Sequence, residues 1–225
     1  MLKKVFTDIF SPFFCVKCFQ ITDNDYICAQ CFNETEFSLE IFCIECKRRR
    51  PHTENFLKAC CSTSIKSLIS FANYENKTIS ELIKTGKFRG SFEIFKYFGK
   101  FISKELEPIK NNFNNFCVVP IPLSKKDELS RGFNQSKILA KIIGEELNLE
   151  VIELLQKIKI NKPQRTLVEK KRSKNVEGVF ETKNKPPKKI ILIDDIKTTG
   201  ATLLEAGKIL KTAGAKTIIA ITIVK

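Results

Sequence analysis

The stretch Ile190-Ile191-Leu192-Ile193-Asp194-Asp195-Ile196-Lys197-Thr198-Thr199-Gly200-Ala201-Thr202 carries the fold of this chain. Four apolar residues predict a buried strand. Leu203, Leu204, Gly207 and Leu210 beyond it follow helical spacing. Between them lies a polar turn with two adjacent carboxylates, three threonine hydroxyls and a glycine. Hydroxyls and free N–H groups at a helix N-terminus bind phosphate. The carboxylates suit ribose hydroxyls or a bridged Mg²⁺. A sugar and a phosphate side by side imply a ribose 5-phosphate ligand. Asp and Thr are also ordinary helix caps in any α/β turn; the length of this pattern argues for the ligand.

A strand, turn and helix of this kind belong to a parallel α/β domain, and the remaining pattern agrees. Ile65, Leu68, Phe71 and Tyr74 predict one or two strands within 62–76. Helical spacing follows at Ile79, Leu82 and Ile83, and again from Phe92 to Leu106, with the basic turn Lys87-Phe88-Arg89-Gly90 between the two helices. Phe116 to Val119 reads as a buried strand ending in Pro120-Ile121-Pro122. Arg131 to Gln135 precedes an amphipathic helix through Leu147. A short strand is expected at Val151-Ile152 and a final one at Thr217–Val224. The lysine-rich stretch 157–185 has little apolar periodicity and predicts a mobile loop. Ligands in such sheets sit at the carboxyl ends of the strands. Here Asp194-Asp195 and Pro120-Ile121-Pro122 mark two such ends.

The 225 residues allow one α/β domain with a small module beside it. We divide the chain at 1–61 and 62–225. No apolar run approaches the roughly 18 residues of a membrane span. Asp8 and Pro12 interrupt the apolar stretch after Lys3-Lys4, so a signal peptide is not expected and a cytoplasmic location is. The net charge of +14 lies wholly beyond Cys61, because residues 1–60 hold eight basic and eight acidic side chains. The densest part, 157–189, includes Arg172. Such a field attracts nucleotides or nucleic acid, although a solvated surface is the simpler reading for most of these lysines.

Eight of the nine cysteines fall within the first 61 residues. Cys15-x-x-Cys18, Cys28-x-x-Cys31 and Cys43-x-x-Cys46 are turns that aim paired thiolates at a tetrahedral ion. A disulfide framework would need a secretory context. We assign Cys15, Cys18, Cys28 and Cys31 to one structural zinc site; a cross-braced pairing of first and third turns is the alternative. Cys43 and Cys46 with Cys60 form a possible second site. Adjacent cysteines diverge, so one of Cys60 and Cys61 together with His52 would complete it; the alternatives are that His52 is a surface residue and that the site has lost ligands and is empty. Zinc held by four thiolates carries net negative charge, which suits the module to dock on the basic remainder. Cys117 reads as a small buried hydrophobe.

The Asp194–Thr202 segment resembles the phosphoribosyl-pyrophosphate (PRPP) motif of type I phosphoribosyltransferases. Nearly the whole chain resembles the ComF family, competence-associated proteins of that fold with an N-terminal zinc ribbon. The resemblance runs through Phe10-Ser11-Pro12 before Cys15, Lys87-Phe88-Arg89-Gly90, Pro120-Ile121-Pro122-Leu123, Arg131-Gly132-Phe133-Asn134-Gln135, Pro163-Gln164 and Arg172-x-x-Asn175-Val176-x-Gly178-x-Phe180. Where family members usually close a double ribbon with a fourth Cys-x-x-Cys, this chain has Cys60-Cys61.

The resemblance implies displacement at the ribose C1 of PRPP with departure of Mg²⁺-pyrophosphate. Asp194 and Asp195 would hold the ribose hydroxyls, directly or through Mg²⁺. Thr198, Thr199, Gly200, Ala201 and Thr202 would wrap the 5′-phosphate. Pro120, Ile121, Pro122 and Leu123 would meet pyrophosphate, with Lys87, Arg89, Arg131 or Arg172 as cationic partners. A single histidine and no Ser/His/Asp set fit a reaction that depends on charge placement. The implied partners are PRPP, single-stranded DNA and proteins of the competence machinery; a non-catalytic DNA-handling adaptor is the rival function. A basic groove with aromatic stacking platforms would favour that adaptor.

Overall fold

Two strands made almost wholly of β-branched and apolar residues, Lys189–Ile196 and Thr217–Val224, lie side by side and parallel at the centre of the molecule. Their continuous apolar runs require cover on both faces. In this computed structural model, residues 13–22, 26–35, 37–51, 54–58, 60–158 and 178–225 are described. In chain order the described strands are β1 (Phe13–Phe14), β2 (Ile21–Thr22), β3 (Glu40–Phe42), β4 (Arg49–Arg50), β5 (Leu68–Ala72), β6 (Cys117–Pro120), β7 (Leu155–Lys157), β8 (Phe180–Thr182), β9 (Lys189–Ile196) and β10 (Thr217–Val224). The helices are α1 (Ala29–Asn33), α2 (Lys77–Phe88), α3 (Glu93–Leu106), α4 (Lys125–Arg131), α5 (Gln135–Leu147) and α6 (Ala201–Thr212).

The main sheet has the order β4-β3-β5-β10-β9-β6. β5, β10, β9 and β6 are parallel, and β3 and β4 join as an antiparallel edge. One face carries Ile191, Ile193, Ile219 and Ile221 against α2, α3 and α5. The other carries Ile190, Leu192, Ile218 and Ala220 against α6 and the β7–β8 hairpin. α3 and α5 approach closely at Gly99, where an added Cβ would lie 2.8 Å from the Ile142 Cβ. Among the described residues no helix is long and apolar enough to cross a membrane.

Most elements expected from periodicity are present, and of the one or two strands read within 62–76 one forms, β5. Five differences stand out. Val151-Ile152 makes no strand, only a single bridge from Val151 to Val118. Lys87 and Phe88 close α2 rather than lie in a turn between helices. A short helix, α4, precedes Arg131; Ser124 caps it and Gly132 ends it at φ 78°. The ends of the lysine-rich stretch are paired, since β7 and β8 make an antiparallel hairpin; residues 159–177 lie outside the described part. Finally, β3 and β4 precede residue 61 yet belong to the core sheet, so the sheet runs across the boundary drawn from composition. The register explains why: Ile41 pairs with Ile69 of β5 and is itself buried in the core.

The first cysteine module packs through aromatics. Phe32 meets Tyr97 and Phe101 of α3 edge-on, with centroids 4.6 and 5.5 Å away, and Phe37 meets Phe101 at 4.3 Å. Each such pair contributes about 0.5–1.5 kcal/mol beyond its buried area. Docking on the remainder is as expected, but this contact is aromatic rather than electrostatic.

Candidate functional site

β9 and β6 end side by side, with Pro120 opposite Ile193, so the aspartates and the proline turn emerge at one rim. Successive residues on a strand point to opposite faces. Asp195 therefore turns toward α2 and α5, where it is 3 % exposed. Its Oδ1 accepts from Gln135 Nε2 at 3.1 Å, and its Oδ2 forms an ion pair with Lys87 Nζ. Asp194 is part-buried; its Oδ1 accepts from Ser136 Oγ at 3.0 Å and from the Asp195 N–H at 3.0 Å. Burial, then the neighbouring charge of Asp195, pushes the Asp194 carboxyl up to about 7 against the pull of Ser136.

The segment from Arg131 to Ser136 holds this arrangement together. Asn134 caps α5, accepting from the Ser136 and Lys137 N–H groups, while its Nδ2 donates to the Ile121 carbonyl at 3.0 Å. One side chain thus fixes both the helix start and the Pro120–Leu123 turn. Gln135 joins Arg131 to Asp195, because its Oε1 accepts from Arg131 Nη1 at 3.3 Å. Gln135 and Ser136 are the residues that sequence reasoning missed as site members. Their signal was the Asn cap, which fixes the next two side chains beside the strand ends.

Beyond the aspartates, Thr198 and Thr199 are exposed and α6 begins at Ala201. Gly200 is the N-cap at φ 82° and has no side chain to cap the helix. Thr199 Oγ1 accepts from the Ala201 N–H at 3.3 Å. The first-turn amides of α6, together with the helix dipole, suit an anion. On the β6 side a cavity of about 830 Å³ is lined by Pro120, Pro122, Leu123, Lys126, Lys157 and Lys183, among others. Ile121 differs from its neighbours in the turn: its side chain is 4 % exposed and belongs to the core. Arg89 is exposed just past α2, and among the described residues no ion pair joins it to the aspartates. Arg172 lies outside the described residues.

Two cysteine sites stand apart from this rim. The thiol sulfurs of Cys15, Cys18, Cys28 and Cys31 lie within 4.8 Å of one another, as do those of Cys43, Cys46, Cys60 and Cys61. The sequential pairing of the first site is the one found, not the cross-braced one. Both adjacent cysteines enter the second site, against the expectation of one plus His52, a residue outside the described part. The two turns are copies of each other. Cys15 and Cys43 accept from the N–H groups of Phe19 and Lys47 and donate to the carbonyls of Gln20 and Arg48. Phe19 and Lys47 both have φ 59°. The Cys18–Cys28 sulfur separation of 3.8 Å matches the S···S edge of a ZnS₄ tetrahedron with bonds of about 2.3 Å.

The thiols of the two sites differ within each group. Burial raises the Cys15 thiol, but backbone N–H groups of Cys18, Cys28 and Lys17 outweigh it and bring it down to about 6. Cys46 is lowered to about 7, chiefly by the Arg48 N–H and then by Cys60. Both shifts favour the thiolate, the form that binds metal. Two Cys₄ clusters with this chemistry could bind zinc. Cys117, 3 % exposed, is pushed up to about 11 by burial and is a core residue as expected.

A mostly parallel sheet with paired aspartates at one strand end, a threonine-rich turn into a helix and a proline turn on the adjacent strand define a phosphoribosyltransferase-type protein. The model of the phosphoribosyl transferase domain matches residues 129–225. The chain belongs to the ComF family. It is 31 % identical over 212 residues to the competence protein ComFC of Streptococcus pneumoniae strain R6, covering 90 % of this chain and 89 % of that one. ComFC of Bacillus subtilis strain 168 is 36 % identical over 141 residues, covering 62 % and 56 % of the two chains. Competence protein F of Haemophilus influenzae is 25 % identical over 199 residues, covering 85 % and 81 %.

Proposed function

We propose that this chain binds PRPP with its Mg²⁺ ion, transfers the phosphoribosyl group to an acceptor, and serves natural competence. The observation that carries this reading is that the aspartate pair and the turn into α6 come at the end of β9, directly beside the end of β6, whose proline turn lines a lysine-rich cavity. In this reading Asp194 and Asp195 hold the ribose 2′- and 3′-hydroxyls, directly or through the substrate's Mg²⁺. The Thr198–Thr202 backbone and hydroxyls receive the 5′-phosphate. The Pro120–Leu123 turn receives pyrophosphate. An acceptor lone pair then forms the bond to C1 as the C1–O bond breaks, and its electron pair leaves with pyrophosphate. Lys87, parked on Asp195 in the ligand-free chain, is free to follow the leaving charge once the ribose occupies the carboxylates. Gln135 and Ser136 keep those carboxylates aimed throughout. Fixed charge of this kind stabilises the transition state without reorganisation. The two Cys₄ sites hold structural zinc, a closed coordination with no position left for chemistry. The names of the relatives support the competence role.

A second reading is an adaptor that handles single-stranded DNA with little turnover. One observation favours it: Phe88 is 78 % exposed beside exposed Arg89, an aromatic platform next to a cation. Calorimetry with PRPP and Mg²⁺ on the wild type and on an Asp194→Asn, Asp195→Asn double variant tests the site; undiminished affinity in the variant would refute it. Pyrophosphate release across a panel of nucleobases and DNA separates the two readings. Release favours the transferase, and its absence beside tight DNA binding favours the adaptor.

A further inference from the structure

Lys197 sits within the β9–α6 turn yet is only 8 % exposed. Its stem runs along the backbone of Gly200, where an added Cβ would be 3.4 Å from Lys197 Cε. Among the described residues no carboxylate forms an ion pair with it. An ammonium taken out of water without a counter-charge is strongly unfavourable. Its charged neighbours make matters worse: burial first, then Lys47 and Lys225, hold its pKa below the usual lysine value.

The reason for tolerating such a group lies in the space around it. Lys47, Arg49, Lys197 and Lys225 line one cavity of about 360 Å³, with Glu75 and Tyr74 at its wall. It opens over β10 and β5, on the opposite side of β9 from the larger cavity over β6. Glu40 accepts from both Arg49 and Lys225. Four cations outnumber the carboxylates beside them, which are Glu40, Glu75 and the main-chain carboxylate of Lys225, whose oxygen accepts from the Tyr74 N–H at 2.9 Å. Lys225 is fixed further by the Phe42 ring, 4.6 Å from its Nζ. Lys47 is held by its place after Cys46, in the left-handed turn closed by its N–H bond to the Cys43 carbonyl at 3.0 Å. The positive excess around the buried Lys197 suits the charge of a phosphate group, and Tyr74, 40 % exposed, offers a ring face at the rim.

We propose that this cavity is a second phosphate site, separate from the Thr198–Thr202 turn, which takes a phosphate group of a nucleotide-sized ligand on Lys197, Lys47 and Lys225. The phosphate can come from a free mononucleotide or from the end of a strand. The site does not depend on PRPP turnover.

The test is thermal unfolding and calorimetry of the full chain. The probes are inorganic phosphate, a nucleoside 5′-monophosphate and a short oligonucleotide with or without a 5′-phosphate, with and without saturating PRPP. Phosphate should bind wild type with PRPP present. A Lys47→Gln, Lys225→Gln variant should bind it on the order of a hundredfold more weakly, the loss of two charge-assisted bonds, with PRPP affinity unchanged. Lys197→Met should raise the melting temperature in phosphate-free buffer, because an uncompensated cation is gone, and should abolish the stabilisation by phosphate. The monophosphate and phosphorylated-oligonucleotide arms identify the source. Equal phosphate binding by wild type and variants, equal stabilisation by chloride, or a Lys197→Met chain that melts lower would overturn the proposal. If PRPP fails to bind while the variants still lose phosphate, the PRPP reading falls and this site stands.

Discussion

Ile44, between the two cysteines of the second knuckle, packs where a side chain on Gly200 would lie: a Cβ there would be 3.2 Å from Ile44 Cγ1 and 3.3 Å from its Cδ1. A cysteine turn near the N-terminus thus buttresses the turn that leads into α6. Gly200 also sits at φ 82°, which L side chains rarely adopt. Gly200→Ala should therefore lower stability by about 1–2 kcal/mol, measured by urea unfolding. Ile44→Ala in the same chain should recover the contact part only. Stripping metal from the second cluster should weaken PRPP binding through this buttress. An unchanged affinity in the stripped protein would separate the two sites.

Metal content gives the next prediction. The second cluster includes both Cys60 and Cys61, so Cys61→Ser should reduce the zinc released by a mercurial from two ions per chain to one. Replacing Cys117, which is buried away from both clusters, should leave it at two. In the metal-free protein Cys61 is pushed up to about 12, chiefly through its hydrogen bonds with Cys46 and then Cys43. Its thiol must therefore lose a proton on binding, and reloading should release protons into weakly buffered solution.

Lys87 and Asp195 form a nearly buried pair, 15 % and 4 % exposed in their side chains. Removing one partner leaves the other charge desolvated, a loss of about 3–5 kcal/mol for fully buried pairs. Lys87→Met should destabilise by about 3 kcal/mol, and Asp195→Asn in the same chain should restore much of it. A double-mutant cycle by chemical denaturation reads the coupling. A coupling near zero would mean that Lys87 does not rest on Asp195 in the ligand-free protein.

Most of this architecture was legible because its signals are local. The β-branched runs of β9 and β10, the helical spacing of α2, α3 and α5, and the Cys-x-x-Cys turns each follow from neighbours in the chain. What was not legible depends on pairing across distance. That β3 adds to the core sheet requires Ile41 to meet Ile69, a match no local window contains. Gln135 and Ser136 look like ordinary first-turn residues until α5 is set against β9. Lys87 reads as a free cation in a basic turn, and only the fold shows its carboxylate. Cys60 and Cys61 were expected to diverge, yet the fold brings both into one cluster.

Asp194 gives the pH prediction. Its carboxyl is held at about 7 in the folded chain by burial and by Asp195, against about 3.9 in the unfolded one. Below about pH 4 both states carry the proton and the group adds no pH dependence. Between about 4 and 7 only the folded chain keeps it, so stability falls as pH rises through this window and levels off above it. Asn at this position cannot ionise. The stability of Asp194→Asn relative to wild type should therefore increase from pH 5 to pH 8 in ligand-free protein and then stay constant. Taking the difference between the two chains cancels the titration of the cysteine clusters. Ser136→Ala removes the hydroxyl that favours the charged form and should shift the same transition to higher pH. A difference that is flat across pH 5 to 8 would mean that Asp194 is ionised throughout and that its surroundings at the end of β9 solvate the charge.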